Sequence, residues 1–127
     1  MTQNRLININ LLKIKLPLSA FLSITHRISG MLIFFIVLPV SVFIFSELTQ
    51  SQDSFNNFMI MYHKNFGIKF GCVGLILIFQ YHIFTGVRHI LMDFHILNES
   101  LSSSYKSAVT TLVLFAVNAL LTLRVML

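Results

Sequence analysis

The chain has 127 residues, 56% hydrophobic and only 10% charged, with a mean hydropathy of +0.83 and a formal net charge of +5. An ordinary soluble domain carries about 25% charged residues, and a small soluble core cannot hide this much apolar surface. A soluble fold is excluded, and an all-α integral membrane protein is expected.

Each span needs about 20 residues. The length therefore allows three transmembrane helices in one membrane-anchor domain over residues 1–127, with no room for a separate soluble domain. The nine basic residues are scattered along an apolar chain and form no basic stripe, so a nucleic-acid partner is not expected. Cationic flanks that set orientation in a lipid bilayer explain the charge better. Cys72 is the only cysteine, which rules out an internal disulfide. It sits in an apolar run as a small hydrophobe.

Residues 1–17 begin the chain in order. Arg5, Lys13 and Lys15 alternate there with Leu, Ile and Asn, and no acid is present. This reads as an interfacial arm lying on the membrane or on a partner. No signal-peptide cleavage pattern is visible, and the first long apolar run is too long for an h-region. Pro17 suits the start of a helix, where its missing N–H does no harm.

The first helix is expected over about residues 18–46, with a kink at Pro39. Residues 47–65 read as a polar loop. A second helix follows over about 66–92, where Gly67, Gly71 and Gly74 suit close helix–helix contact or are simply membrane-helix glycines. Residues 93–106 read as another polar loop. The third helix covers about 107–127, with Asn118 as a mid-span polar group able to bond a neighbouring helix. No internal repeat and no low-complexity tract is visible.

The basic arm, set against Glu47 and Asp53 in the first loop, places the N-terminus in the cytoplasm and the C-terminus on the far side. The cytoplasmic end then collects Ser23, His26, Arg27, Arg88, His89 and Asp93.

Two stretches carry polar groups where a bilayer disfavours them. The first is Ser23-Ile24-Thr25-His26-Arg27-Ile28-Ser29-Gly30, at the mouth of the first span. An Arg at the centre of a span costs roughly 2.5–3.5 kcal/mol, and less near its end. Ser23 and Arg27 are four apart and share a helix face, with His26 at its border. A hydroxyl and a guanidinium aimed together can hydrogen-bond a carbonyl oxygen or hold a carboxylate. Snorkelling to lipid phosphate is the plain alternative for Arg27.

The second stretch runs from Tyr81 to Asp93. His82 lies about 16 Å in from Asp93 at roughly 1.5 Å per residue, near mid-membrane. A neutral histidine at that depth needs partners for its ring nitrogens, and it reads as either a structural residue or a ligand. Gly86 lies one turn along the same face and leaves a flat slot, as a haem plane needs. His89 points nearly the same way, or sits as an interfacial aromatic. Asp93 opposes the helix dipole, which pairing with Arg88 or His89 would offset. It reads otherwise as a loop cap.

These stretches, SITHRISG and HIFTGVRHILMD, resemble the cytochrome b membrane-anchor family of succinate dehydrogenase, respiratory complex II. The family pattern is roughly S-x-x-H-R-x-[ST]-G followed by H-x-x-x-G-x-R-H-x-x-x-D. KLPLSAFLSI is similar to the bacterial form of the preceding arm, which implies a bacterial inner membrane. The resemblance implies a complex of a flavoprotein subunit, an iron–sulfur subunit and two membrane anchors. It also implies one haem b between the anchors, with an axial histidine from each.

By that likeness His82 is this chain's axial ligand to the haem iron. Ser23 and Arg27 line a ubiquinone site, and His26, Arg27, Arg88 and His89 surround the haem propionates or the quinone pocket. Asp93 ends the motif as a candidate proton relay or helix-end pair. The chain has no flavin or dicarboxylate site of its own, so it is not expected to oxidise succinate alone. The alternatives are the anchor of a fumarate reductase, or a cofactor-free structural membrane subunit.

Overall fold

The computed structural model describes residues 16–97 and 100–127. The expected amino-terminal arm lies, up to residue 15, outside the described residues. The rest is helical: α1 (Leu18–Gln50), α2 (Gln52–Lys64), α3 (Phe66–Asp93) and α4 (Leu101–Met126). Three of these, α1, α3 and α4, are long and apolar enough to cross a membrane. The protein is a multi-pass membrane protein.

α1 begins after the extended Pro17, whose carbonyl accepts the Ala20 and Phe21 N–H groups. The helix does not break at Pro39. It widens into a π-turn at Ile33–Val37, closed by the Leu38 N–H on the Ile33 carbonyl. A proline ring clashes with the carbonyl four residues back, here Phe35, which lies inside that turn. Widening it accommodates the ring without ending the helix.

The segment 47–65 differs from the loop expected of it. Most of it is the amphipathic helix α2, capped by Ser51, whose side chain accepts the Ser54 N–H. Asn65 ends α2 and caps α3 by accepting the Gly67 and Ile68 N–H groups. α3 closes in a Schellman turn, with the Ile96 N–H on the Leu91 carbonyl and the His95 N–H on the Met92 carbonyl. His95 takes the left-handed conformation there, at φ 57°, as the position after a helix cap requires. α4 starts at Leu101, earlier than its hydropathy suggests, because Ser100 caps it through the Ser103 N–H.

α3 packs along both α1 and α4. Among the described residues, polar side chains are buried as readily as apolar ones. Leu22, Val37, Val73 and Ala108 are the buried apolar residues, beside Ser29, Thr85, Arg88, Ser104 and Thr111. The outer surface carries bulky apolar side chains such as Phe34, Phe35, Phe43 and Phe45. This inversion suits a bilayer, where lipid tails remove the hydrophobic drive between helices and polar bonds and small residues hold them together.

The mid-span bond expected of Asn118 is made elsewhere on the same helix pair, from Gln80 Nε2 to Thr122 Oγ1 at 2.8 Å. The C-terminal end of α4 is tied by Tyr62 Oη donating to the Met126 carbonyl and Lys69 Nζ to that of Leu127, both 3.1 Å.

Candidate functional site

The two polar stretches meet where α1 and α3 run antiparallel. His26 and His82 stack face to face, with ring centroids 4.1 Å apart and planes 9° from parallel. Ser29 Oγ lies 2.9 Å from His82 Nδ1, and Thr85 Oγ1 lies 2.8 Å from His26 Nδ1. Thr25 Oγ1 and Tyr81 Oη are hydrogen-bonded across the same seam. Such interhelical bonds in a membrane contribute about 0.6–2 kcal/mol each.

The two stacked rings need room, and glycine provides it. A Cβ at Gly30 would stand 3.1 Å from His82 Cε1, and one at Gly86 would stand 3.1 Å from His26 Cε1. The slot expected beside His82 at Gly86 is thus filled by His26, and the glycine beneath His82 is Gly30. Gly71 and Gly74, read as close-contact residues or simply as membrane-helix glycines, face open space. Gly67 meets only the Asn65 side chain.

His89 completes a cluster of three imidazoles, its ring 5.1 Å from that of His26 and tilted by 49°. Its Nε2 is buried with no hydrogen bond. Asp93 follows His89 by one turn of α3, and Arg27, Arg88 and Asp93 all lie within electrostatic reach of that imidazole. Arg88 is only 3% exposed and is committed to α4. Its Nε donates to Ser107 Oγ at 3.1 Å, and its Nη2 donates to the carbonyl and Oγ of Ser104 at 3.2 and 3.3 Å. It lies six residues past His82, so it projects about 120° around α3 from the imidazole. Ser23 is half-buried and Arg27 exposed at the end of α1. Neither is hydrogen-bonded within the described residues.

Two observations bear on whether these residues suit a haem. The described hydrogen bond to His82 engages Nδ1, which leaves Nε2 to act as an iron ligand, with the other nitrogen oriented from behind. Phe79, one turn before His82, is 49% exposed, so this chain alone does not cover that face of α3. The donor set and the open face fit a flat group held between this chain and another.

The family model for the succinate dehydrogenase/fumarate reductase transmembrane subunit matches residues 1–123. The chain belongs to this family. It is similar to the succinate dehydrogenase cytochrome b556 subunit of Coxiella burnetii (strain RSA 493 / Nine Mile phase I), 33% identical over 93 residues. That match covers 73% of this chain and 74% of the relative. It is also similar to the succinate dehydrogenase cytochrome b560 subunit of Porphyra purpurea, 35% identical over 97 residues, covering 76% of each.

Within this transmembrane subunit, Ser29, Gly30, Thr85 and the Thr25–Tyr81 pair were not singled out from the residues as members of the site. A signal for them exists. His26-Arg27-Ile28-Ser29-Gly30 and His82-Ile83-Phe84-Thr85-Gly86 are the same word, H-x-x-[ST]-G, written once on each helix. At five residues it is too short to stand out as an internal repeat. Its meaning appears only when the helices are antiparallel, so that each hydroxyl and glycine meets the other helix's histidine.

Proposed function

We propose that this chain is the haem b-bearing membrane anchor of a succinate dehydrogenase, through which electrons pass from an iron–sulfur subunit to ubiquinone. The reading rests on His82, a mid-span imidazole held from behind at Nδ1 by Ser29 and set beside a face of α3 that this chain leaves open. A second membrane anchor would cover that face and supply the other histidine to the haem iron. The flavoprotein and iron–sulfur subunits dock on the cytoplasmic side of what is, in this proposal, a bacterial inner membrane.

Held by one imidazole from each anchor, haem b would supply one-electron transfer and offer no open site to oxygen. This chain's residues do the remaining work. His82 Nε2 would hold the haem iron for this chain. Arg27 and His89 place donors at the cytoplasmic end of the cluster, where propionate carboxylates need them, and His26 packs flat against the ligand ring. The buried, unbonded Nε2 of His89 supports a polar partner at that point. Arg88, tied to Ser104 and Ser107, locks α4 onto α3.

Ser23 and Arg27, at the mouth of α1, hold a quinone carbonyl, and their donors stabilise the negative charge that reduction places on its oxygen. Water at the same mouth delivers the protons, with Asp93 beside His89 as a relay.

The family description also covers fumarate reductase, and an anchor run in that direction is the second reading. The proposal is tested on the complex purified through this chain from native membranes. Sharp b-type bands in the reduced-minus-oxidised spectrum and succinate-driven quinone reduction are expected. A full complex without b-type bands overturns the haem assignment and leaves a structural anchor. Quinol-driven fumarate reduction dominating over succinate oxidation overturns the direction.

The orientation is part of the same proposal. The cationic arm and the acid-bearing segment 47–65 put the N-terminus inside. Reporter fusions after Leu127 are expected to be active outside the cytoplasm, and a cytoplasmic readout there inverts the topology.

A further inference from the structure

The repeated word on α1 and α3 carries an inference about how the ligand nitrogen is prepared, and it rests on the haem reading above. The positions of the two words differ by a constant offset, shared by the bonded pair Thr25 and Tyr81, 56 residues apart. The same offset relates His26 to His82, Ser29 to Thr85 and Gly30 to Gly86. The pair is therefore a local two-fold, in which each helix holds the other's imidazole by one hydroxyl and seats it on one glycine.

The hydroxyl protons decide the tautomer. Ser29 Oγ donates to the His26 carbonyl at 2.7 Å. A serine has one proton to give. Its contact with His82 Nδ1 at 2.9 Å must then run the other way, with Nδ1–H donating to Ser29 Oγ. Thr85 repeats the arrangement: its Oγ1 donates to the Tyr81 carbonyl at 2.8 Å, so His26 Nδ1–H donates to it. Each neutral ring thereby carries its proton on Nδ1 and its lone pair on Nε2. The stacked neighbour fixes the ring plane, because a rotation of either ring drives it into the other or into the opposing glycine.

We propose that Ser29 is a positioning residue for the haem iron ligand. It fixes the Nδ1–H tautomer of His82, sets the plane of the ring together with His26 and Gly30, and raises the basicity of Nε2 by accepting a hydrogen bond from Nδ1–H. A stronger imidazole donor favours the ferric state, so the bond lowers the haem potential. Ser29 itself touches neither iron nor quinone.

The test compares Ser29→Ala, Ser29→Thr and Gly30→Ala in the assembled complex, with Gly71→Ala as a packing control whose added methyl meets open space. The readouts are the low-spin electron paramagnetic resonance signal and the potentiometric midpoint of the haem. Ser29→Ala is expected to raise the midpoint and to shift and broaden the low-spin signal. Ser29→Thr restores both, since threonine already fills the equivalent place on α3. Gly30→Ala keeps the hydroxyl but tilts the ring, shifting the low-spin signal more than the midpoint. Gly71→Ala matches the parent protein.

Haem present in Ser29→Ala with parental signal and midpoint overturns the inference. So does a Ser29→Thr protein that behaves like Ser29→Ala, because then bulk and not the hydroxyl matters. Loss of haem from Ser29→Ala with retention in Ser29→Thr supports it, and loss from both overturns it. Absence of b-type haem from the parent complex is a separate result and fails the haem reading itself.

Discussion

Replacing His82 by alanine is expected to abolish or transform the low-spin haem signal proposed for the complex. The substitution removes the only mid-span imidazole of α3 that is held from behind at Nδ1 and set beside an open helix face. It also strips His26 of its stacking partner and leaves the Ser29 oxygen without its donor. An unsatisfied buried polar group costs about 1–3 kcal/mol, so some loss of stability accompanies the spectral change.

The two effects separate by measurement. Subunit stoichiometry on a native gel reports assembly, and the low-temperature resonance spectrum reports ligation. An assembled complex whose low-spin signal is unchanged in His82→Ala sinks the ligand assignment, whatever the stability. His82→Gln, which keeps bulk and polarity but offers no imidazole, is expected to change the signal with less damage to the helix pair.

The second large effect is expected at the mouth of α1. Arg27→Leu should weaken quinone reduction by roughly ten- to a hundredfold, since one lost hydrogen bond to a charged group is worth about 1.5–3 kcal/mol. Ser23→Ala should weaken it in the same direction and by less, because a neutral hydroxyl makes the weaker bond. Both side chains stand toward the start of α1 with no hydrogen bond of their own to the described residues.

The contrast is Arg88, whose guanidinium is spent on α4 and whose loss should cost stability before it costs catalysis. The assay uses two acceptors on membranes with normal assembly. Ubiquinone reduction should fall, while succinate oxidation by a dye that accepts electrons upstream should persist. If both activities fall together, the pair serves assembly. If neither falls, Arg27 reaches lipid phosphate and the quinone binds elsewhere.

Local features of this chain are legible in its amino acids because their causes are local. A long apolar stretch with few charges specifies a spanning helix wherever it lies, since a bare backbone in hydrocarbon must bond to itself. The spans, the polar cluster at the mouth of the first and the mid-membrane depth of His82 all follow from that rule, and the two motifs point to the family. Short-range capping also writes itself in sequence, although Ser51 and Ser100 were overshadowed by the polarity around them. That is why α2 and the first turn of α4 read as loop.

What only the tertiary structure decided is every relation across the seam. Composition offered Gly67, Gly71 and Gly74 for close packing, but the contacts fall on Gly30 and Gly86. Arg88 had Asp93 five residues away and instead bonds Ser104 and Ser107. Asn118 stood out mid-span, and Gln80 with Thr122 makes the bond. In each case the choice depends on which face of one helix meets which face of another, and in a bilayer that is set by the fit of small residues and the closing of polar bonds. Those pairings join residues distant along the chain, so periodicity within either helix carries no record of them. The repeated H-x-x-[ST]-G word was present in the sequence throughout. Its use, two histidines each held by the other helix's hydroxyl, exists only once α1 and α3 lie antiparallel in contact.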